Sequence, residues 1–256
     1  MILTENNNAW DFDKHRPEIA LLPLVCFEPH SDDLPLGTDS ILMNAISRGV
    51  AERLAETTFL LPAWPYGTSG YLAGQPGVIS LDHETLWHVV RDIAVSLNER
   101  GIHKVVVLNN HGSAMTGTIK PIGNFITKTA VRQLNYEEPG IQAIWVQPFS
   151  AARERLMELF DSAADALHVG AVELSLLMHL MPEKSWPIPE DFVPDVNPSY
   201  LQFKPLAHFS PNGVWGRPSQ ADAQKGATAL EVIIDGTVKY IQKTYRQLEK
   251  LSEKAA

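Results

Sequence analysis

The chain has one cysteine, Cys26, among its 256 residues. An intrachain disulfide is therefore excluded, and a disulfide-stapled secreted scaffold with it. The N-terminus, MILTENNNAW, lacks the pattern of a secretory leader. Together the two absences lead us to expect a reducing cytoplasm. No apolar run approaches the roughly 20 residues that a membrane helix needs. Basic residues are scarce: 21 Lys and Arg stand against 30 Asp and Glu, for a net charge of −9. Neither nucleic acid nor an anionic membrane is expected as a partner of such a surface. Internal repeats and low-complexity segments are absent. So are the G-x-G-x-x-G turn after the first strand and the P-loop, which argues against a nucleotide-binding protein. What remains is 45% hydrophobic and 20% charged, the balance of an ordinary globular domain.

The apolar pattern alternates between two periods. Residues 18–25 (EIALLPLV), 58–63 (TFLLPA), 104–110 (KVVVLNN) and 143–148 (AIWVQP) read as buried strands. Between them, 41–55 carries Leu42, Ala45, Ile46, Val50 and Leu54 on one helical stripe. The segment 81–101 does the same with Leu86, Val89, Val90, Ile93 and Leu97, with Asp82 as N-cap and Gly101 as its stop. Helices are also expected over 122–134, 150–160, 170–181 and 219–247. Strands and helices in turn predict a single α/β domain, a mostly parallel sheet covered on both faces. We place it at 18–256, after a loosely held polar arm at 1–17. Residues 183–218 are rich in proline but also hold Trp186, Phe192, Tyr200, Phe203, Phe209 and Trp215, and read as an irregular, ordered segment.

In open α/β sheets, sites form just beyond the C-terminal ends of the strands. The strand at 18–25 is followed by FEPHSDDLPLGTD, which offers Glu28 and His30 on the same side of an extended chain, then Asp39. The strand at 104–110 leads to His111, and LHVGAVELS offers His168 and Glu173. Imidazole and carboxylate without thiolate suit Zn²⁺, Mn²⁺ or Fe²⁺. Five candidate ligands, Glu28, His30, Asp39, His111 and Glu173, exceed what one ion needs and suggest two sharing a carboxylate. Two divalent ions against three carboxylates and one hydroxide leave a neutral site that can be buried. Each residue has a plainer use: Asp39 as a helix N-cap, His111 in a loop, Glu173 on a solvated face, Asp32 and Asp33 in a solvated turn.

These segments resemble the creatininase (creatinine amidohydrolase) family. Its first motif stands here as EPHSDDLPLGTD, from Glu28 to Asp39; its N-G-H as NNH, ending at His111; its H-A-G-x-x-E-T-S as HVGAVELS, from His168. Its late G-V-x-G-x-P stretch stands as GVWGRPSQADAQKG, and YGTSGYLAGQPGVISL is a weaker match at 66–81. The resemblance implies a binuclear metal centre that hydrolyses small C–N bonds. It assigns Glu28, Asp39 and His111 to one metal, His30 and Asp39 to the other, with Asp39 bridging. The remaining carboxylate follows the N-G-H histidine or comes from H-A-G-x-x-E; since 112–114 are Gly, Ser and Ala, it falls to Glu173. The resemblance also implies that His168 stands where a histidine transfers a proton or orients substrate, and its spacing from Glu173 places it on a loop before a helix that begins near Gly170. The chain departs from the family at NNHGSA, at HSDD, at Leu72 where a histidine is usual, and at ELS.

The expected function is hydrolysis of a small cyclic amide, formamide or related carbonyl compound by a hydroxide between two divalent metals. Alternatives are opening of a cyclic keto-polyol ring of the inosose kind, or a non-catalytic metal-binding relative. Asp33, Ser113 and Trp215 are candidate substrate contacts, and packing beneath 183–218 is an equal alternative for Trp215. The resemblance also implies a homo-oligomer, a hexamer in the family, with a small molecule as substrate.

Overall fold

The computed structural model describes residues 1–109, 131–161 and 166–253. Five parallel strands form one sheet in the order β1-β3-β2-β4-β5. They are β1 (Ile2–Leu3), β2 (Ile19–Leu24), β3 (Thr58–Leu60), β4 (Lys104–Asn109) and β5 (Gln142–Val146). Their all-apolar runs are what a sheet buried on both faces requires. Residues of β2 alternate faithfully. Ile19 and Leu21 face one core with Val106, Leu108, Ile144 and Val146. Ala20, Leu22 and Leu24 face the other with Val105, Val107 and Ala143.

The first core is closed by α2 (Thr38–Arg53), α7 (Ala171–Leu180) and the long α8 (Ala223–Glu253). The second is closed by α3 (His83–Asn98) and by α4, helical over 131–137. A helix interior disfavours glycine by about 1 kcal/mol against alanine, yet α8 carries Gly226. A Cβ there would overlap the Ser175 carbonyl oxygen of α7, so the crossing itself demands the glycine.

Two expectations are corrected, and the plainer alternative for Asp39 falls away. The N-terminal 17 residues are not a loose arm. Ile2 and Leu3 pair with Thr58 and Phe59 as the edge strand, Leu3 is buried, and α1 (Ala9–His15) is capped by Asn8. A two-residue strand is too short to show a period. The helix expected over 150–160 is two pieces, α5 (Pro148–Ala151) and α6 (Arg153–Leu159), broken at Ala152. Asp39 lies inside the first turn of α2 and is not its N-cap, a place held by Gly37. The helix expected at 122–134 falls mostly outside the described residues.

Strand order sets the position of the site. From β2 the chain runs to β3 on one side, and from β3 it crosses to β4 on the other. The connections part at the C-terminal ends of β2 and β4, where an open α/β sheet leaves a crevice.

Candidate metal centre

Beyond Leu24 the chain carries Cys26, Glu28 and His30 into the site, with isolated bridges at Phe27 and His30, then doubles back. The Glu28 N–H donates to the Leu36 carbonyl (3.2 Å), and Ser31 turns the chain at φ 62°. Asp39 returns on the first turn of α2. Glu28, His30 and Asp39 are all buried, and their ligand atoms converge.

Three groups of ligand atoms, each within 4.8 Å of one another, overlap here: Glu28 with His30 and His168, Cys26 with Glu28 and Asp39, and His30 with Asp39 and Glu173. Asp39 belongs to two of them. One of its oxygens, Oδ1, lies 3.5 Å from His30 Nε2. The other, Oδ2, is buried and has no hydrogen-bond partner among the described residues. A buried carboxylate oxygen left so costs roughly 1–3 kcal/mol, which a bound cation would remove. His30 has the geometry of a ligand: Nδ1 meets the Glu28 carbonyl at 3.2 Å, which turns Nε2 toward Asp39. The residues therefore fit a divalent cation.

Electrostatics agree. Burial works against charge on His30, but the hydrogen bond and charge of Asp39, with Glu173 and Glu28 behind it, outweigh burial and hold its pKa up at about 9. Protons compensate the carboxylates where cations would. Glu173 sits on the first turn of α7, its Oε2 accepting the Gly170 N–H at 3.2 Å. By surface it is only half-buried. Its packed surroundings still raise its pKa by desolvation, opposed by the charge of His30 and helped by Asp39.

His168 precedes that helix on a loop, as expected from the spacing. Its Nε2 meets the Pro29 carbonyl at 2.9 Å, leaving Nδ1 to face the Tyr71 hydroxyl at 3.5 Å. Burial, then the charge of His30, lower its pKa to about 4. The next residue, Val169, is held at φ 57°, an uncommon setting for a β-branched residue that marks a tightly determined loop.

Of the other candidates, Asp33 is exposed on the turn, its N–H on Ser31 Oγ at 3.1 Å. It takes the place of a solvated turn residue and is not among the converging groups. Trp215 is 2% exposed and packs with Leu72 and Leu206, so it is a buried brace and not an open aromatic wall. Its backbone pairs with that of His168 in both directions, at 2.9 and 3.2 Å. Gly216 beside it lets the chain lie against Gly170, where a Cβ would stand 3.0 Å from the Gly170 Cα. The late glycine-rich motif thus buttresses the His168 loop. His111 and Ser113 lie outside the described residues; β4, which leads toward them, ends at Asn109, paired with Leu24.

Two residues were missed. Cys26 alternates with Glu28 and His30, so the same spacing that placed those two also placed the thiol, and the inventory is not free of sulfur. Tyr71 donates to Glu28 Oε1 at 2.8 Å from a turn whose role no periodicity reveals.

A sequence profile described as creatinine amidohydrolase matches residues 6–241. The chain belongs to the creatininase family. A mycofactocin precursor peptide peptidase of Mycobacterium ulcerans is 30% identical over 238 residues, 86% of this chain and 83% of that protein. The creatinine amidohydrolase of Pseudomonas putida is 28% identical over 243 residues, 89% of this chain and 90% of that one. A 3-dehydro-scyllo-inosose hydrolase of Thermotoga maritima is 22% identical over 257 residues, 90% and 78% respectively. The fold matches a crystal structure of creatinine amidohydrolase with a TM-score of 0.76 at 22% identity, over 94% of this chain and 97% of that one. Solved creatininases include a manganese form and a Zn-Zn type. As a creatininase-family member the chain is a metal-dependent enzyme of the amidohydrolase type. No helix among the described residues is long and apolar enough to cross a membrane.

Proposed function

We propose that the chain hydrolyses a C–N bond in a small cyclic amide, formamide or related carbonyl compound, at a centre holding two divalent metals. The observation that carries this reading is Asp39, shared by two overlapping sets of ligand atoms and keeping one oxygen buried without a hydrogen-bond partner among the described residues. Glu28, Asp39 and His111 would hold one ion, His30, Asp39 and Glu173 the other. When bound, such a pair supplies hydroxide at neutral pH and polarises a carbonyl. Cys26, close to Glu28 and Asp39, favours a thiophilic ion such as zinc at the first position.

The chain's own residues do the rest. His30 is oriented by the Glu28 carbonyl, and Glu173 by the Gly170 N–H. His168 keeps the proton on Nε2 toward Pro29, so Nδ1 is the nitrogen able to take a proton and return it to a leaving nitrogen. The late motif holds this loop in place through Trp215 and Gly216.

The test is metal content per chain together with a substrate panel: creatinine, N-formyl compounds, short peptides and a cyclic keto-polyol. The reading expects about two ions per chain, as in two-metal hydrolases, and turnover of an amide that chelation abolishes and zinc or manganese restores. Turnover of the keto-polyol alone would move the reading to ring opening of that class. Turnover untouched by exhaustive chelation would overturn it.

A further inference from the structure

The segment 66–81 carries a residue that the ligand assignment does not use. Tyr71 stands on a single 3-10 turn, Gly70–Leu72. Its neighbour Leu72 is fully buried against Leu206 and Trp215. Trp215 in turn is bonded through its backbone to His168. The turn is thus anchored in the same packed layer that holds the histidine loop. From this anchor the Tyr71 hydroxyl reaches Glu28 Oε1 at 2.8 Å, and its oxygen lies 3.5 Å from His168 Nδ1. The two rings stand edge to face, 6.0 Å apart.

A phenol has one proton to donate, and among the described residues two acceptors face it. The carboxylate at 2.8 Å is the better placed, and a charged acceptor makes the stronger bond. At 3.5 Å the His168 contact is at the limit of a hydrogen bond. The hydroxyl is therefore committed to Glu28 and fixes the rotation of its carboxylate. Apolar packing of the ring against its neighbours would be served as well by phenylalanine; the bond to Glu28 needs the oxygen.

We infer that Tyr71 is a positioning residue of the centre, whose hydroxyl holds the Glu28 carboxylate in register for a cation, from a turn packed through Leu72 and Trp215 against the loop that carries His168. The inference rests on the reading of Glu28 as a metal ligand. Groups that orient metal ligands typically change metal affinity or activity by about 10- to 100-fold when removed.

The experiment uses the full chain, stripped of metal and titrated with manganese alone against a competing chelator, as wild type and as Tyr71→Phe. Melting temperature is measured without metal in parallel. The inference expects the metal-free melting temperature to hold within a few degrees, manganese affinity to fall about 10- to 100-fold, and kcat to fall at saturating manganese. Equal affinity and equal kcat in the two chains overturn it. So does a collapse of metal-free stability with unchanged affinity, or a variant that stays unfolded at saturating manganese, since both give the hydroxyl a structural role only. A wild-type chain that binds neither manganese nor zinc, titrated in the same way, overturns the reading of the centre and this inference together, whereas equal affinity and equal kcat in the two chains overturn the inference alone, so the two failures are told apart.

Discussion

Helices α2 and α3 have the same length, 16 residues, and cover opposite faces of the sheet. Their first turns differ. In α3 the Asp82 side chain accepts the Glu84 N–H, and the next acid, Glu84, is exposed. In α2 the N-cap is Gly37, which offers no side-chain cap, and the acid of the first turn, Asp39, is buried with one oxygen unbonded among the described residues. The first turn of α7 lies between the two: Gly170 is its N-cap, and Glu173 gives one oxygen to the Gly170 N–H while its carboxylate also faces His30 and Asp39. An acid at a helix start normally serves the helix, as an N-cap or against the dipole. Where it is withheld from that use and buried, it serves the site instead.

The largest effect should come from removing the two acids that face the centre. Asp39→Ala should lose metal and lower turnover by more than about 100-fold, beyond what groups outside the ligand set cost. Glu173→Ala should reduce metal from about two ions to about one, as the two-metal reading requires, with turnover nearly gone. Its fold should survive, at a cost of about 0.5–1.5 kcal/mol for the lost bond to the Gly170 N–H. Glu173→Asp should keep partial metal. Metal analysis beside a denaturant curve reads all three, and two ions retained in Glu173→Ala would break the contrast between α7 and α3.

Next in size is Trp215→Ala. The side chain is buried among Leu72, Leu206 and Phe209, so truncation should cost about 3–5 kcal/mol. The melting temperature should fall steeply, while KM at a temperature where the variant is folded changes less. A large rise in KM with little loss of stability would return Trp215 to the substrate wall.

How much of this was visible beforehand follows from what has a period. The strands β2 and β4 are short unbroken apolar runs and helix α3 is written in turns of 3.6, so their positions were legible within a few residues. Glu28 and His30 were legible because they continue the alternation of β2, and by the same logic Cys26 was there to be seen. His168 and Glu173 could be separated by loop and helix because their spacing of five residues does not fit one helical face. Ile2–Leu3 has too few residues to alternate. Trp215 and Tyr71 sit in irregular chain, where position is decided by packing between segments distant in sequence.

The two histidines of the centre, rings 4.6 Å apart, sharpen the same contrast through pH. His30 is raised to about 9 in the metal-free chain, so its contribution to stability is full below its ordinary value of about 6.5 and is lost as pH rises toward 9. His168 is lowered to about 4, so the unfolded chain binds its proton first, and stability falls as pH drops from about 6.5 toward 4. The metal-free chain should therefore be most stable near pH 6.5. Metal displaces the proton on His30, so binding should tighten as pH rises through that upper range and remove the alkaline loss. Denaturant midpoints across pH, with and without manganese, check both limbs. An alkaline loss that persists at saturating metal would count against His30 as a ligand.

The smallest effect should be at Asp82. Its carboxylate bonds the Glu84 N–H at 2.9 Å and faces solvent. Replacing an N-cap acid by alanine costs about 0.5–2 kcal/mol. Because α3 packs on the face opposite α2 and α7, that loss has no route to the ligand atoms except through the sheet, whose central strands are held on both sides. Asp82→Ala should therefore lower the melting temperature by a few degrees and leave metal content, kcat and KM at their wild-type values. Asp82→Ser, which restores a cap, should recover most of the stability. If Asp82→Ala instead lost metal, the two helix starts would not be doing different jobs, and the assignment of Asp39 to the centre on that contrast would fail.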